Sequence, residues 1–106
     1  MNIQKRYERF YMENEEHFFY VLTCKDGSLY GGYTNNLERR IRLHNEGKGA
    51  KYTRGRGPVT LTFYKRYEQK TEAMKAEYQF KRLTRKKKLE FLEKESGDND
   101  AAAEKL

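Results

Sequence analysis

Residues 17–45 read HFFYVLTCKDGSLYGGYTNNLERRIRLHN. The first eight of these residues are rich in Phe, Tyr and Val, a composition that is typical of a β-strand. Asp26 and Gly27 then mark a turn, and residues 29–34 have the composition of a returning strand. The sequence therefore predicts a β-hairpin at the start of the fold.

A helix is predicted directly after the hairpin. Asn35, with Glu38 three residues later, has the spacing of an N-terminal helix cap. The helix is expected to run through Asn45, and Gly47 and Gly49 supply the signal that ends it.

Two more helices are predicted in the second half of the chain. Thr71 is expected to cap a helix that runs through Lys81. Thr84 is expected to cap another helix, which runs from Arg85 to about Lys94.

A third strand lies between the first and second helices. Val59, Leu61 and Phe63 alternate with polar or amphipathic residues, which predicts a half-buried strand with these three side chains on one face. The element order is therefore β-β-α-β-α-α. This order indicates an α+β fold, with a small three-stranded, mainly antiparallel sheet flanked by about three helices.

The length of 106 residues suits one domain. All predicted elements fall within residues 17–95. Residues 1–16 form an N-terminal extension whose polar and aromatic composition does not decide between order and disorder. Residues 96–106 lack apolar periodicity, and we expect them to be disordered.

Composition excludes several classes of protein. The longest apolar run, Phe18 to Leu22, is far shorter than the roughly 20 residues that a membrane-spanning helix needs. The single cysteine, Cys24, excludes an internal disulfide and a zinc site made only of cysteines. The chain also opens without a basic-then-apolar signal segment, so we expect a cytoplasmic protein with no membrane partner.

The net charge of +7 is concentrated in one part of the chain. Residues 35–66 contain nine Lys or Arg against two Glu, so this segment alone carries a net charge of +7. A localised basic surface is typical of nucleic-acid binding, although a merely soluble, lysine-rich surface is the alternative. The candidate nucleic-acid-binding residues are Arg39, Lys48, Lys51, Arg54, Arg56, Lys86 and Lys87.

Five polar residues form a candidate site. Tyr20 and Tyr30 stand ten residues apart on the two hairpin strands. Arg40 and His44 are four residues apart and therefore share one face of the first helix. Glu77 lies midway along the second predicted helix.

The register of the hairpin decides whether the two tyrosines can act together. A two-residue turn would send Tyr20 and Tyr30 to opposite faces. A three-residue turn over residues 25–27 puts both on one face, with Leu22 opposite Tyr30 and Tyr20 opposite Gly32. The candidate site therefore requires the three-residue turn.

These motifs resemble the GIY-YIG nuclease superfamily, and in particular its small single-domain bacterial group, UPF0213. The two family signatures correspond to FFY at 18–20 and YGG at 30–32. The strand-to-helix passage is similar to YTNNLERR at 33–40. The stretches GKGAKYT at 47–53 and EAMKAE at 72–77 resemble the small bacterial group.

The resemblance implies a metal-dependent phosphodiesterase that acts on DNA, with RNA as the alternative. Glu77 would bind Mg²⁺ (or Mn²⁺), weakly until the substrate arrives, and Arg40 would bind a phosphate. Tyr20 would be the base, provided that neighbouring cations or the metal lower its pKa. Tyr30 would position the water or support Tyr20. His44, titrating near neutrality, would share the proton transfer.

Each of these residues also has a purely structural explanation. Tyrosines commonly fill the edge of a small core, and an Arg or His on a helix commonly lies on the surface. Glu77 can pair with Lys81 four residues later.

Two alternative functions stay open. Many active members of the superfamily have an asparagine in the third helix, where this chain has RKKK at 85–88. That difference favours a non-catalytic nucleic-acid-binding module that keeps the nuclease fold. The other alternative is an adaptor that binds protein through residues 1–16. A monomer is favoured in either case.

Overall fold

The computed structural model describes residues 16–104, with side chains described as far as Glu95. The predicted extension is therefore outside the described residues except for Glu16. The α+β fold and its element order are confirmed. The elements are β1 (His17–Thr23), β2 (Leu29–Thr34), α1 (Leu37–Asn45), β3 (Thr60–Tyr67), α2 (Lys70–Lys81) and α3 (Arg85–Glu104).

The three strands form one antiparallel sheet in the order β2-β1-β3. Tyr20 lies opposite Gly32, and Leu22 lies opposite Tyr30, which confirms the three-residue turn. The N–H of Cys24 donates to the carbonyl of Ser28 at 2.8 Å and closes this turn. Gly27 occupies its left-handed position with a φ of 85°, a conformation that favours glycine.

Both faces of the sheet are covered, so the fold has two apolar cores. On one face, Phe19, Val21 and Phe63 pack against Phe80 of α2 and Leu92 of α3. On the other face, the buried residues are Tyr20, Leu22, Cys24 and Val59, and Leu37 and Ile41 of α1 pack against them. The predicted site residues of the hairpin lie on this second face.

The third strand changes face along its length, which the alternating pattern did not predict. The register between β1 and β3 shifts between Val21 and Leu22. As a result, Leu61 pairs with Leu22 on the α1 face, whereas Phe63 pairs with Val21 on the α2 face. The prediction that Leu61 and Phe63 share a face is therefore wrong, because a β-bulge inserts one extra residue between them.

The first helix begins one residue later than predicted. Asn36, not Asn35, is the N-cap residue: its backbone is extended, with φ −148° and ψ 93°. Its side-chain oxygen accepts a hydrogen bond from the backbone N–H of Arg39 at 3.1 Å. The hydroxyl of Thr34 accepts from the backbone N–H of Asn36 at 3.1 Å, which fixes the turn into the helix.

The other two helices differ from the prediction at one end each. α2 begins at Lys70, because the carbonyl of Gln69 already accepts the first helical hydrogen bonds, so Thr71 is not its cap. Thr84 does bind the backbone N–H of Lys87 at 3.2 Å, as predicted for a cap of α3. α3 then continues to Glu104, past the predicted end and into the segment for which we expected disorder.

Candidate active site

The hairpin and α1 bring four of the five predicted site residues together. The hydroxyl of Tyr20 lies 2.8 Å from Nε2 of His44, and Nε of Arg40 donates to the same hydroxyl at 3.4 Å. The ring of Tyr30 meets the ring of His44 edge-on, with 5.1 Å between centroids. A Cβ atom on Gly32 would overlap the ring of Tyr20, so the glycine opposite this tyrosine is what makes room for it.

The loop after α1 closes over the site and adds two contacts that the sequence did not predict. Nη2 of Arg40 donates to the carbonyl of Gly49 at 2.8 Å. Nδ1 of His44 lies 2.8 Å from the hydroxyl of Thr53. A Cβ atom on Gly49 would collide with the ring of His44, so the loop can approach this closely only with glycine there. In the sequence, Thr53 is noted only as part of the GKGAKYT stretch at 47–53, and no role is predicted for it.

Glu77 of α2 lies at the edge of this cluster. Burial is the main cause of the raised pKa of Tyr20, and the charge of Glu77 raises it further by a small amount. Glu77 also forms an ion pair with Lys81 at 3.3 Å, and Nζ of Lys81 lies 5.4 Å from the ring centroid of Tyr30. The ion pair with Lys81, which is the purely structural explanation for Glu77, is therefore present in the fold.

The donor set at Glu77 suits a hard cation that keeps most of its water. Within residues 16–104, no three or more His, Cys, Asp or Glu side chains cluster to hold a metal. A structural zinc site is therefore not built there. Mg²⁺ binds commonly through one or two carboxylates together with substrate phosphates and water, and the Glu77 carboxylate, 19% exposed, fits that type of binding.

Burial controls the protonation of Tyr20. Burial raises the pKa of Tyr20 to about 12, and the hydrogen bond from Arg40 only partly offsets it. The predicted role of Tyr20 as the base depends on neighbouring cations or a metal that lower this pKa. The guanidinium of Arg40 is such a cation, but it lowers the pKa of Tyr20 by less than burial raises it.

Burial also keeps His44 neutral. Burial, with a smaller contribution from the charge of Arg40, lowers the pKa of His44 to about 4. The prediction that His44 titrates near neutrality is therefore wrong. Burial favours a lower pKa for Arg40 too, but Tyr20 and Tyr30 raise it overall, so the guanidinium stays charged.

The site residues differ in access to water. Tyr20 is 0% exposed and His44 is 1% exposed, so neither side chain meets solvent. Tyr30, Arg40 and Glu77 are each partly exposed. A small groove of about 200 Å³ reaches Arg40 from outside, between α1 and the end of β2.

The seven predicted nucleic-acid-binding residues fall into two groups. Lys48, Arg56 and Lys87 are ion-paired with Glu46, Asp26 and Glu90 respectively. Arg56 is the most strongly held, because its guanidinium lies 2.9 Å from Asp26 and 4.5 Å from the ring centroid of Tyr52. The other four of the seven, Arg39, Lys51, Arg54 and Lys86, are exposed and form no ion pair within the described part of the chain.

Tyr52 extends the site beyond the predicted residues. Its ring is 43% exposed and stacks on Tyr30 with 6.0 Å between centroids. Arg56 holds the ring of Tyr52, and the ion pair of Arg56 with Asp26 ties this part of the loop to the hairpin turn.

The part of the chain that forms the sheet and the helices matches a nuclease-type domain. Residues 16–90 match the family model described as the GIY-YIG catalytic domain. The chain is 58% identical to a UPF0213 protein of Bacillus velezensis over 90 residues, which cover 85% of this chain and 91% of that protein. It is 54% identical to the UPF0213 protein YazA of Bacillus subtilis, again over 85% of this chain and 91% of the relative.

The solved structures agree with this relationship. The solution NMR structure of a UPF0213 protein from Bacillus halodurans matches with a TM-score of 0.51 and 51% identity, over 74% of this chain and 83% of that one. A solution NMR structure of a protein from E. faecalis matches with a TM-score of 0.53 and 52% identity, over 74% and 84%. The chain therefore belongs to the GIY-YIG superfamily and, within it, to the UPF0213 group. In the region that the structure describes, every helix is too short or too polar to cross a membrane.

Proposed function

We propose that this protein hydrolyses phosphodiester bonds of nucleic acid, with DNA as the first candidate and RNA as the alternative, and that a divalent cation assists it. The observation that carries the proposal is the grouping of three partly exposed side chains, Tyr30, Arg40 and Glu77, beside the buried pair of Tyr20 and His44. A nuclease-type domain with a localised basic surface supports nucleic acid as the substrate.

Arg40 is the group that binds the scissile phosphate. The N–H at Nε donates to Tyr20, and one N–H at Nη2 donates to Gly49. A guanidinium has five N–H groups, so three remain for phosphate oxygens. Because two protein contacts fix the plane of the guanidinium, little side-chain entropy is lost when the phosphate binds.

Tyr30 is the tyrosine that meets the substrate, and Tyr20 acts through Arg40. Tyr20 is buried and, with a pKa of about 12, protonated at neutral pH, so it does not act as a base in the free protein. Its hydroxyl instead holds Arg40 and His44 in place. Tyr30 is partly exposed on the same sheet face and is available to orient the attacking water.

Glu77 is the carboxylate that would hold Mg²⁺ or Mn²⁺. A divalent cation bound there would offset the negative charge that develops on the phosphoryl oxygens. A single carboxylate that is also paired with Lys81 binds such an ion weakly on its own, so we expect binding to strengthen when a nucleic-acid phosphate supplies further oxygen ligands.

Cleavage assays with matched variants test this proposal. Plasmid, branched and single-stranded DNA, and a single-stranded RNA, are incubated with the wild type, Tyr30→Phe, Arg40→Gln and Glu77→Gln, with and without Mg²⁺. We expect Mg²⁺-dependent cleavage by the wild type and a loss of about 100-fold or more in each variant. The controls are Tyr64→Phe and Glu72→Gln, since both side chains are exposed and neither forms a hydrogen bond or ion pair with a site residue; Tyr64 pairs with Tyr20 along the strands, and phenylalanine keeps its ring.

The results separate nuclease from binding module. Cleavage that survives in both Tyr30→Phe and Glu77→Gln contradicts the proposed site. Salt-sensitive binding with no cleavage of any substrate supports the non-catalytic module, which the ion pair of Glu77 with Lys81 and the basic run at 85–88 favour. The adaptor hypothesis concerns residues 1–16, all but the last of which lie outside the described residues.

A further inference from the structure

Four hydrogen bonds run in series through the buried part of the site. They join Arg40 to Tyr20, Tyr20 to His44, His44 to Thr53, and Thr53 to the carbonyl of Ala50. The distances are 3.4, 2.8, 2.8 and 3.2 Å. Tyr20, His44 and Thr53 are each at most 1% exposed, so water does not compete for these bonds.

The last bond of the series fixes the direction of the one before it. The carbonyl of Ala50 can only accept, so the hydroxyl of Thr53 donates its single proton to it. Thr53 must then accept at its oxygen, and Nδ1 of His44 is the donor. His44 is neutral at physiological pH, so the proton on Nδ1 leaves Nε2 as an acceptor.

The contacts at the Arg40 end of the series favour the same tautomer. Arg40 can only donate, so the oxygen of Tyr20 accepts from Nε of Arg40. If Nε2 of His44 carried a proton, the Tyr20 oxygen would receive two donors, and its own proton would face no acceptor among the contacts of the described residues. A buried hydroxyl proton without an acceptor is costly, so Tyr20 donates to Nε2.

We propose that Thr53 is a positioning residue which holds His44 in the Nδ1–H tautomer, so that the hydrogen bonds all point from Arg40 through Tyr20, His44 and Thr53 to the carbonyl of Ala50. The lone pairs of the Tyr20 oxygen then face Arg40 and set the plane of its guanidinium. Thr53 therefore acts on the phosphate-binding group from the opposite end of the series, through two intervening side chains. Only the consequence for cleavage rests on the proposed function.

NMR of the imidazole nitrogens tests the tautomer directly. The chain has two histidines, His17 and His44, and His44→Gln assigns their signals in a ¹⁵N-labelled sample. Long-range ¹H–¹⁵N correlations at pH 7 should show the Nδ1–H pattern for His44 in the wild type and in Thr53→Ser, which keeps the hydroxyl. In Thr53→Val, which keeps the shape and removes the hydroxyl, a proton on Nδ1 would lose its acceptor. This cost opposes the cost of an unpaired Tyr20 proton, so we expect the pattern to move to a mixture of the two tautomers.

Two outcomes overturn the proposal. One is an Nε2–H tautomer of His44 in the wild type, a measurement that needs no variant to fold. The other is a folded Thr53→Val variant in which His44 keeps the full Nδ1–H pattern, because Thr53 would then not control it.

Cleavage kinetics distinguish the role of Thr53 from the nuclease proposal. We expect Thr53→Val to lower kcat for cleavage about tenfold or more and Thr53→Ser to restore it. The change in KM should be smaller, because Arg40 contacts one phosphate whereas the basic surface contributes to the binding of the others. A kcat that does not change in Thr53→Val contradicts the role of Thr53. A wild type without cleavage contradicts only the nuclease proposal, since the NMR result still decides the tautomer.

Discussion

Tyr20 and His44 share a 2.8 Å hydrogen bond between the sheet and α1, where both side chains are buried from water. In water a phenol and an imidazole each exchange protons near their own pKa, about 10 and 6.5. Burial moves the two values apart, to about 12 and about 4, because it disfavours both charged forms. The pair is therefore neutral over the whole physiological range. In the proposed mechanism, its contribution at neutral pH is the placement of Arg40.

The low pKa of His44 predicts that the protein loses stability in mild acid. The unfolded chain takes up a proton at His44 near pH 6.5, whereas the folded protein does so only near pH 4. Between these values the unfolded state binds more protons, so the free energy of unfolding falls as the pH falls. From His44 alone we expect a loss on the order of 3 kcal/mol between pH 6.5 and 4, and none above pH 6.5.

Two measurements check this prediction. The ring proton shifts of His44, followed by NMR against pH, should have a midpoint near 4 rather than near 6.5. Urea unfolding from pH 7 to 4 should show a smaller decline in His44→Gln than in the wild type, because the variant cannot take up this proton. Equal declines in the two proteins would contradict the assignment.

Among the elements, the hairpin could be predicted from the sequence because its determinants are local. Gly27 occupies the left-handed position of the turn, and the turn length sets which residues face each other. The change of face along β3 could not be predicted, since Leu61 and Phe63 are both apolar and only packing against two different cores separates them. The helix starts were predicted to within one or two residues, because neighbouring polar residues such as Asn35 and Asn36 offer the same cap chemistry.

Most of the candidate site could be predicted as well, because its determinants are also local. Tyr20, Tyr30, Arg40 and His44 come from one continuous hairpin and helix, where periodicity places each side chain. Thr53 could not be assigned, because it reaches His44 through an irregular loop that has no periodicity. The protonation of the site was also beyond prediction, since burial is a property of the whole packed structure.

The N-cap of α1 provides a prediction at the scale of an element. Asn36→Ala removes the side-chain acceptor for the backbone N–H of Arg39, which leaves one N–H at the start of the helix without its partner. We expect the free energy of unfolding to fall by about 1 kcal/mol. Because α1 carries Arg40 and His44, we also expect the cleavage rate to fall along with stability. Urea denaturation at pH 7 measures the first effect, and plasmid cleavage measures the second.

Asn36→Ser is the matched control for the cap. A serine hydroxyl can accept the same hydrogen bond, so the stability should stay within a few tenths of a kcal/mol of the wild type. If Asn36→Ala is as stable as Asn36→Ser, then Asn36 does not cap the helix in solution.

Across the whole molecule, two basic segments that are distant in sequence meet at the hairpin turn. The carbonyl of Arg56, at the end of the loop after α1, accepts from the backbone N–H of Lys25 at 2.8 Å. Arg85, at the start of α3, reaches the carbonyl of Gly27 at 3.4 Å. Arg56 and Arg85 therefore both lie against the turn that leads into β2 and Tyr30, and they give it a basic surface. A nucleic-acid backbone that follows this surface would pass the candidate site.

This arrangement predicts which cations contribute to binding. Lys51 and Arg54 are exposed and form no ion pair within the described residues, so a bound phosphate would release counterions at both. The slope of log affinity against log salt concentration changes by about 0.9 for each phosphate contact to duplex DNA. The double variant Lys51→Gln with Arg54→Gln should therefore bind duplex DNA more weakly, with a slope shallower by about two contacts, when binding is measured by fluorescence anisotropy without divalent cations.

Arg66→Gln is the control, because it removes a cation that lies elsewhere on the molecule. Arg66 is paired with Glu16 at 2.6 Å and lies opposite Phe18, at the end of the sheet away from the hairpin turn. If binding follows only the total charge of the chain, Arg66→Gln should reduce the salt slope by as much as either single substitution in the loop. If it follows the surface beside Tyr30, Arg66→Gln should leave the slope within about 0.3 of the wild type, a small fraction of one phosphate contact. Equal effects of the loop and control variants would contradict a localised binding surface, because distance from the site would then have no influence on affinity.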